Sequence, residues 1–191
     1  MKVIGNFILL IGVILLTVFA YQFYGHEQAL NVSLVQAEER ISQEEDMLVN
    51  HDSASQPFEV NYHEAFATLE IPKLDKTLPI VEGTDPEALE KGVGHLSDSA
   101  FPQQGEQIVL SGHRDTVFRG FKDIEEGDQF IISMPYGTYT YKIKKTEIVP
   151  EDDTSVIRDM GEEVLVVTTC YPFNYVGDAP YRYVTYAYPL D

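Results

Sequence analysis

A single cysteine, Cys170, follows an apolar, strand-like run that reads Val164-Leu165-Val166-Val167-Thr168-Thr169. One cysteine can form no internal disulfide, and in an exported chain an unpaired thiol is a liability unless it has a task. Near neutral pH, cysteine is also the one side-chain type here that acts as a strong nucleophile without a metal. Two readings of Cys170 stand at this level: a nucleophile, or a small buried core residue.

A cysteine nucleophile needs a base or a cation beside it and, for acyl chemistry, a donor for the oxyanion. The chain has five histidines. His26 borders the apolar N-terminal run, His51 lies in an acidic segment, and His63 precedes the first strand-like run. His95 sits in Gly92-Val93-Gly94-His95, and His113 in Leu110-Ser111-Gly112-His113-Arg114-Asp115. His113 directly follows an apolar strand, as Cys170 does, and strand ends at one rim of a barrel bring side chains together. That favours His113 over His95 as the acid–base group; a turn histidine bonded to backbone is the other reading of either. Of the five arginines, Arg40 is N-terminal, Arg114 and Arg119 flank the His113 turn, Arg158 is in an acidic loop, and Arg182 opens the last strand-like run. A guanidinium is always protonated and presents a fork of donors suited to an oxyanion or a substrate carbonyl. The competing reading of Arg182 is a surface side chain stacked on its tyrosine neighbours.

These residues need a framework. From about Phe58 the texture is one of short runs rich in Val, Ile, Tyr, Phe and Thr, separated by Pro, Gly and Asp. The expected strands cover residues 66–71, 77–81, 107–111, 128–134, 138–149, 164–169 and 182–188. Pro135-Tyr136-Gly137 reads as a hairpin turn, and Tyr139, Tyr141 and Ile143 alternate with Thr140, Lys142 and Lys144 as in a half-exposed strand. Residues 85–91 alone read as helix, with Thr84 or Asp85 as cap and Pro86 in the first turn. Seven or eight strands in roughly 135 residues imply an all-β closed or nearly closed antiparallel barrel, or a sandwich. The chain has no internal repeat, Gly-rich phosphate loop, CxxC or HExxH. A net charge of −18 without a basic stripe excludes binding to a nucleic-acid backbone.

Three segments follow from the composition. Residues 1–26 contain an apolar stretch over 3–24 that is long enough to cross a membrane, with Lys2 before it and Glu27, Glu38 and Glu39 after it. This predicts a transmembrane anchor with the C-terminal bulk outside; a signal peptide cleaved after Val18-Phe19-Ala20 is the alternative. Residues 27–57 are acidic and polar, and read as an extracytoplasmic stalk ending in a hinge at Ser53-Ala54-Ser55-Gln56-Pro57. Leu30, Leu34, Ala37, Ile41 and Leu48 form an approximate heptad stripe, so part of the stalk can be a helix that packs on the domain or on a second copy. Residues 58–191 hold the chemistry.

The motifs together resemble the sortase family. Val166-Val167-Thr168-Thr169-Cys170, followed by Tyr171-Pro172-Phe173, is similar to the signature T-L-x-T-C, with valines in place of its first Thr and its Leu. Ser111-Gly112-His113-Arg114-Asp115 resembles the family's histidine turn, and Arg182 lies where the family keeps its arginine. The tail Tyr175-Val176-Gly177-Asp178-Ala179-Pro180-Tyr181-Arg182-Tyr183 resembles the class D branch. The resemblance implies a closed eight-stranded barrel with short helices behind an N-terminal transmembrane helix, at a Gram-positive-type cell membrane. It implies a cysteine transpeptidase that cleaves an LPxT-type sorting signal on a secreted protein. Cys170 would be the nucleophile and His113 the acid–base group. Arg182 would be the oxyanion and substrate-backbone donor. Thr168, Thr169, Tyr171, Val156, Ile157 and Met160 would contact substrate. The acceptor would be a peptidoglycan amine, and the chemistry calls for no metal or cofactor. The acids of the loop over residues 150–163 could bind calcium as in some relatives, although their spacing matches no EF-hand. Two further readings are a membrane-tethered cysteine peptidase that only hydrolyses, and a non-catalytic β-barrel binding module.

Overall fold

The structure is a computed structural model that describes residues 2–50, 58–174, 177 and 179–190. His51, the hinge at Ser53-Ala54-Ser55-Gln56-Pro57, and Tyr175, Val176 and Asp178 of the tail lie outside the described residues.

Eight strands form one closed barrel in the order β1-β2-β3-β4-β7-β8-β6-β5. They are β1 (Ala65–Ile71), β2 (Lys76–Glu82), β3 (Val93–His95), β4 (Gln107–Gly112), β5 (Gln129–Met134), β6 (Gly137–Pro150), β7 (Val164–Tyr171) and β8 (Tyr181–Pro189). All seven strands expected from the sequence are present. The eighth, β3, was not anticipated, because Val93-Gly94-His95 has neither the length nor the β-branched content that marks a strand. Two of its neighbours also break the antiparallel expectation. β2 pairs with β3, and β4 with β7, in parallel, which joins the two halves of the barrel. Closure leaves no free sheet edge. A two-residue turn links β5 and β6, with Met134 opposite Gly137.

The interior is filled by every second residue of the strands, including Ala67, Leu69, Ile108, Leu110, Phe130, Ile132, Leu165 and Val167, all almost fully buried. In β6 this alternation changes sense partway. Ile143 pairs with Ala187 but Lys145 pairs with Tyr186, so Lys144 is an extra residue and forms a bulge. Before it, Tyr141 and Ile143 face the interior; after it, Val149 lies on the outer face, opposite Arg182. A one-residue shift exchanges the faces of every later side chain.

The N-terminal helix α1 (Lys2–Asn50) is continuous. Ile4–Tyr21 within it is long and apolar enough to span a membrane, by length and composition. Farther on, α1 lies against the barrel. Leu30, Ser33, Ala37 and Arg40 recur at helical spacing, with Ser33 and Ala37 buried. Ala37 packs with Ala65, Val81 and Ala88, while Leu30 reaches the main core. Arg40 pairs with Glu64, donates to the Glu59 carbonyl at 2.8 Å and stands over the Phe58 ring at 5.2 Å. Ala88 belongs to the short helix α2 (Pro86–Lys91), capped by Asp85, whose side chain accepts from the Glu87 amide at 2.9 Å.

Candidate active site

Cys170 and Arg182 are a registered pair on the antiparallel strands β7 and β8. Directly opposed side chains share a face of the sheet, and their Cβ atoms lie about 4.5–5.5 Å apart. Parity identifies that face. Leu165 and Val167 of β7 fill the barrel, so Val164, Val166, Thr168 and Cys170 point outward. The outer face carries an apolar patch of Val109, Val164, Val166, Val184 and Tyr186, which ends at Thr168 and Cys170. Cys170 itself is half-buried and free, so its thiol is reachable from the cavity.

His113 joins the row from the parallel side. The β4–β7 ladder ends at Gly112 opposite Thr169, and His113 is the next residue, as Cys170 is on β7. The turn is held by amides of Thr116 and Phe118 that donate to the His113 carbonyl at 3.4 and 3.1 Å. Phe118 folds back under Gly112, where a Cβ would sit 2.5 Å from its ring, so this close approach demands glycine. Thr169 binds the two strands from inside: its buried hydroxyl donates to the Gly112 carbonyl at 2.8 Å.

His113, Cys170 and Arg182 line a single cavity of about 470 Å3, together with Arg114, Asp115, Thr116, Glu151, Gly177 and Ala179. A larger cavity of about 980 Å3 lies between α1 and the barrel and contains none of these three residues. At the smaller cavity the Arg182 guanidinium donates to the carbonyls of Ala179 at 3.0 Å and Tyr181 at 3.1 Å, and approaches Glu151 at 3.4 Å. Arg182 does not lie between its tyrosine neighbours: Tyr183 points to the other face and packs on the core, as the period of two requires. Among the described residues the buried Thr116 hydroxyl has no hydrogen-bond partner.

The other residues singled out from the sequence are dispersed. Thr168 is half-buried on the outer face, between Ser111 and Val184. Thr169 braces the strands as described. Tyr171 turns to the interior side, edge-on to Phe173 at 5.4 Å. Val156 and Met160 pack over the outer apolar patch, whereas Ile157 between them is half exposed. Gln107, which the sequence did not single out, fixes that loop. Its buried amide donates to the Val156 carbonyl at 2.8 Å and accepts from the Arg158 amide at 3.0 Å. Among the described residues no cluster of three or more His, Cys, Asp or Glu side chains is arranged to hold a metal ion.

His95 has a different environment. It is buried, stacked on Phe101 at 4.5 Å, with Nδ1 at 2.7 Å from Glu82 and Nε2 at 3.0 Å from the Ala100 carbonyl. Burial works against the charge of Glu82, but hydrogen bonds from His95 and Ser97 outweigh it and hold the carboxyl below its ordinary value.

Comparison with known proteins places this geometry. Residues 69–190 match the model of the Sortase domain family. The chain is 58% identical over 124 residues to Sortase D of Bacillus subtilis, a match covering 64% of this chain and 63% of that protein. The chain thus spans less than two thirds of that relative's length. Among solved structures, the catalytic domain of B. anthracis SrtD aligns at 43% identity with a TM-score of 0.60, covering 74% of this chain and 97% of that one. A Clostridium perfringens Sortase D5 transpeptidase shares the fold at 21% identity, with a TM-score of 0.71 over 86% of this chain and 99% of that one. With its barrel, its ordered motifs and these likenesses to class D members, the chain belongs to the sortase family.

Proposed function

We propose that this protein is a membrane-anchored cysteine transpeptidase that cleaves an LPxT-type sorting signal after its threonine and passes the acyl group to a cell-wall amine. The observation that carries the proposal is the convergence of Cys170, His113 and Arg182 in one cavity on a sortase barrel. With the thiol proton passed to His113, Cys170 Sγ attacks the threonine carbonyl, forming a tetrahedral oxyanion that Arg182 stabilises with its N–H donors. Collapse breaks the C–N bond, and His113 gives a proton to the departing amine, leaving a thioacyl enzyme. The incoming amine loses a proton to His113 as it attacks, and expulsion of the Cys170 thiolate completes the transfer. Water in place of the amine gives hydrolysis.

Val156 and Met160 anchor their loop on the buried apolar patch of the outer face, which leaves the exposed Ile157 to contact the leucine and proline of the signal. The apolar stretch Ile4–Tyr21 would hold the enzyme in the membrane with the barrel outside. These steps call on no metal ion.

The test is a peptide library offered to the full chain in detergent, with and without a defined amine acceptor, and read by mass spectrometry. The expected products are cleavage after threonine and, with amine, the ligated peptide. Cleavage that never yields ligated product would make the enzyme a peptidase. No cleavage of any LPxT-type peptide would remove the substrate assignment.

A further inference from the structure

Arg114 is a charged side chain in an unusual position. It is 7% exposed and borders the same cavity as Cys170 and His113. Its guanidinium has two kinds of partner. Nε and Nη2 donate to the two carboxylate oxygens of Asp115, at 3.1 and 2.8 Å. Nη1 donates to the carbonyl of Pro172 at 2.7 Å. Asp115 belongs to the turn that carries His113, and Pro172 follows Cys170 by two residues. One guanidinium therefore joins the two segments that carry the nucleophile and the acid–base group. The strand ladder cannot do this, because it ends at Gly112 and Thr169, one residue short of both.

We propose that Arg114 is a positioning residue that locks the His113 turn to the Cys170 turn and places a cation beside the thiol. The proposal rests on the transpeptidase reading for the identity of the reacting groups. It implies a division of labour between two arginines: Arg114 serves the nucleophile, and Arg182 serves the acyl oxygen. The geometry needs a planar fork with a third donor pointing away, which lysine cannot supply. The interaction of Arg114 with Cys170 is also electrostatic, since a thiolate there favours the charged guanidinium. Asp115 completes the arrangement: Arg114 holds its carboxyl below the ordinary range, so it remains an acceptor.

Two measurements on the full chain in detergent test this. The first compares alkylation of Cys170 by iodoacetate, which is anionic, with that by iodoacetamide, which is neutral. The second is kcat and KM with a sorting-signal peptide. Arg114→Met should lower the iodoacetate-to-iodoacetamide rate ratio by at least about threefold, the scale of one charge near the thiol in a solvated cavity. Arg114→Lys should keep most of that ratio yet lose about tenfold or more in kcat with KM nearly unchanged, since misplacing reacting groups costs rate and not binding. Asp115→Asn, which leaves the cavity cation in place, should raise the ratio while lowering kcat. A loss of structure would move both readouts the same way in that variant. An unchanged ratio in Arg114→Met, a falling ratio in Asp115→Asn or wild-type kcat in Arg114→Lys would each overturn the proposal. Alkylation needs no substrate, so the first measurement still decides the role of Arg114 if the wild-type chain cleaves no sorting peptide.

Discussion

Cys170 and Arg182 oppose each other across two antiparallel strands, while His113 reaches the same point from a strand that runs parallel to the one bearing Cys170. The thiol is thus flanked on both sides by fixed backbone. The consequence is a nearly linear order, Arg182–Cys170–His113, across the outer face of the sheet. In the proposed tetrahedral intermediate on Cys170, the oxyanion would face Arg182 and the departing amine would face His113. This separation suits two roles that must not interfere: stabilising an anion and delivering a proton.

The first consequence concerns Cys170. It is half-buried at a strand end, and its removal leaves no deep cavity. Cys170→Ala should abolish peptide cleavage and thioacyl trapping while the thermal transition stays within a few degrees of wild type. Turnover within tenfold of wild type would show that another group attacks the substrate.

The histidines are expected to separate cleanly. His113 is exposed in the cavity, whereas His95 is buried against Phe101 and Glu82. His113→Ala should lose at least about 10²-fold in kcat, the usual worth of general acid–base catalysis, with stability little changed. His95→Ala leaves the Glu82 carboxylate buried without its partner and should cost about 3 kcal/mol or more of folding stability. Equal losses of activity in correctly folded forms of both variants would contradict the assignment.

Glu82 adds a pH dependence whose sign is fixed. Its carboxyl is held below its ordinary value of 4.5 in the folded chain. A group with a depressed folded value contributes stability that is present above the unfolded value and lost as pH falls through the folded one. The barrel should therefore lose stability in acid, starting near pH 4.5 and continuing below it. Glu82→Gln should be less stable than wild type at neutral pH and show a shallower acid dependence between these limits. Parallel stability curves for the two proteins would remove Glu82 from the account.

Gln107 provides a test of the loop over residues 150–163. Its amide meets the backbone on both sides of Ile157, much as a neighbouring strand would. Gln107→Ala should free that loop and raise KM for a sorting peptide by roughly fivefold or more, on the scale of about 1 kcal/mol for each of the two hydrogen bonds lost, with kcat little changed. Ile157→Ser should have the same signature without disturbing the loop. A KM unchanged in both variants would move the substrate's apolar side chains elsewhere.

Much of this arrangement was legible in the residues themselves. The β-branched runs exposed seven strands, and the lone cysteine and the histidine that each follow an apolar strand are brought to one cavity by the fold. What stayed hidden depended on distant pairings. β3 is three residues long and exists because Gly94 lets its backbone pass within contact of Gly83, which composition does not reveal. The bulge at Lys144 is set by the register with β8, so the turning of Val149 to the outer face could not be read from alternation alone. Arg114 looked like one more charge in a turn; only its burial and its bond to Pro172 distinguish it. Gln107 looked like an ordinary polar start to a strand until the loop folded over it.

Arg182 carries the sharpest prediction. Its guanidinium is held by the Ala179 and Tyr181 carbonyls on one nitrogen, and the other faces Glu151 at 3.4 Å. The loose contact with Glu151, which is half exposed, leaves that nitrogen available to a developing oxyanion, while the two carbonyls fix the plane of the fork. Lysine retains the charge but cannot be anchored and donate in the same way. Arg182→Lys should therefore lose roughly 10²-fold or more in kcat/KM, the scale of removing an oxyanion donor, and Arg182→Ala at least as much. Alkylation of Cys170 by iodoacetamide should change far less in either variant, because that reaction develops no oxyanion. A lysine variant with near-normal turnover would reduce Arg182 to a general cation. If alkylation and peptide cleavage fell together, Arg182 would be acting on the thiolate, and the separation of its role from that of Arg114 would be lost.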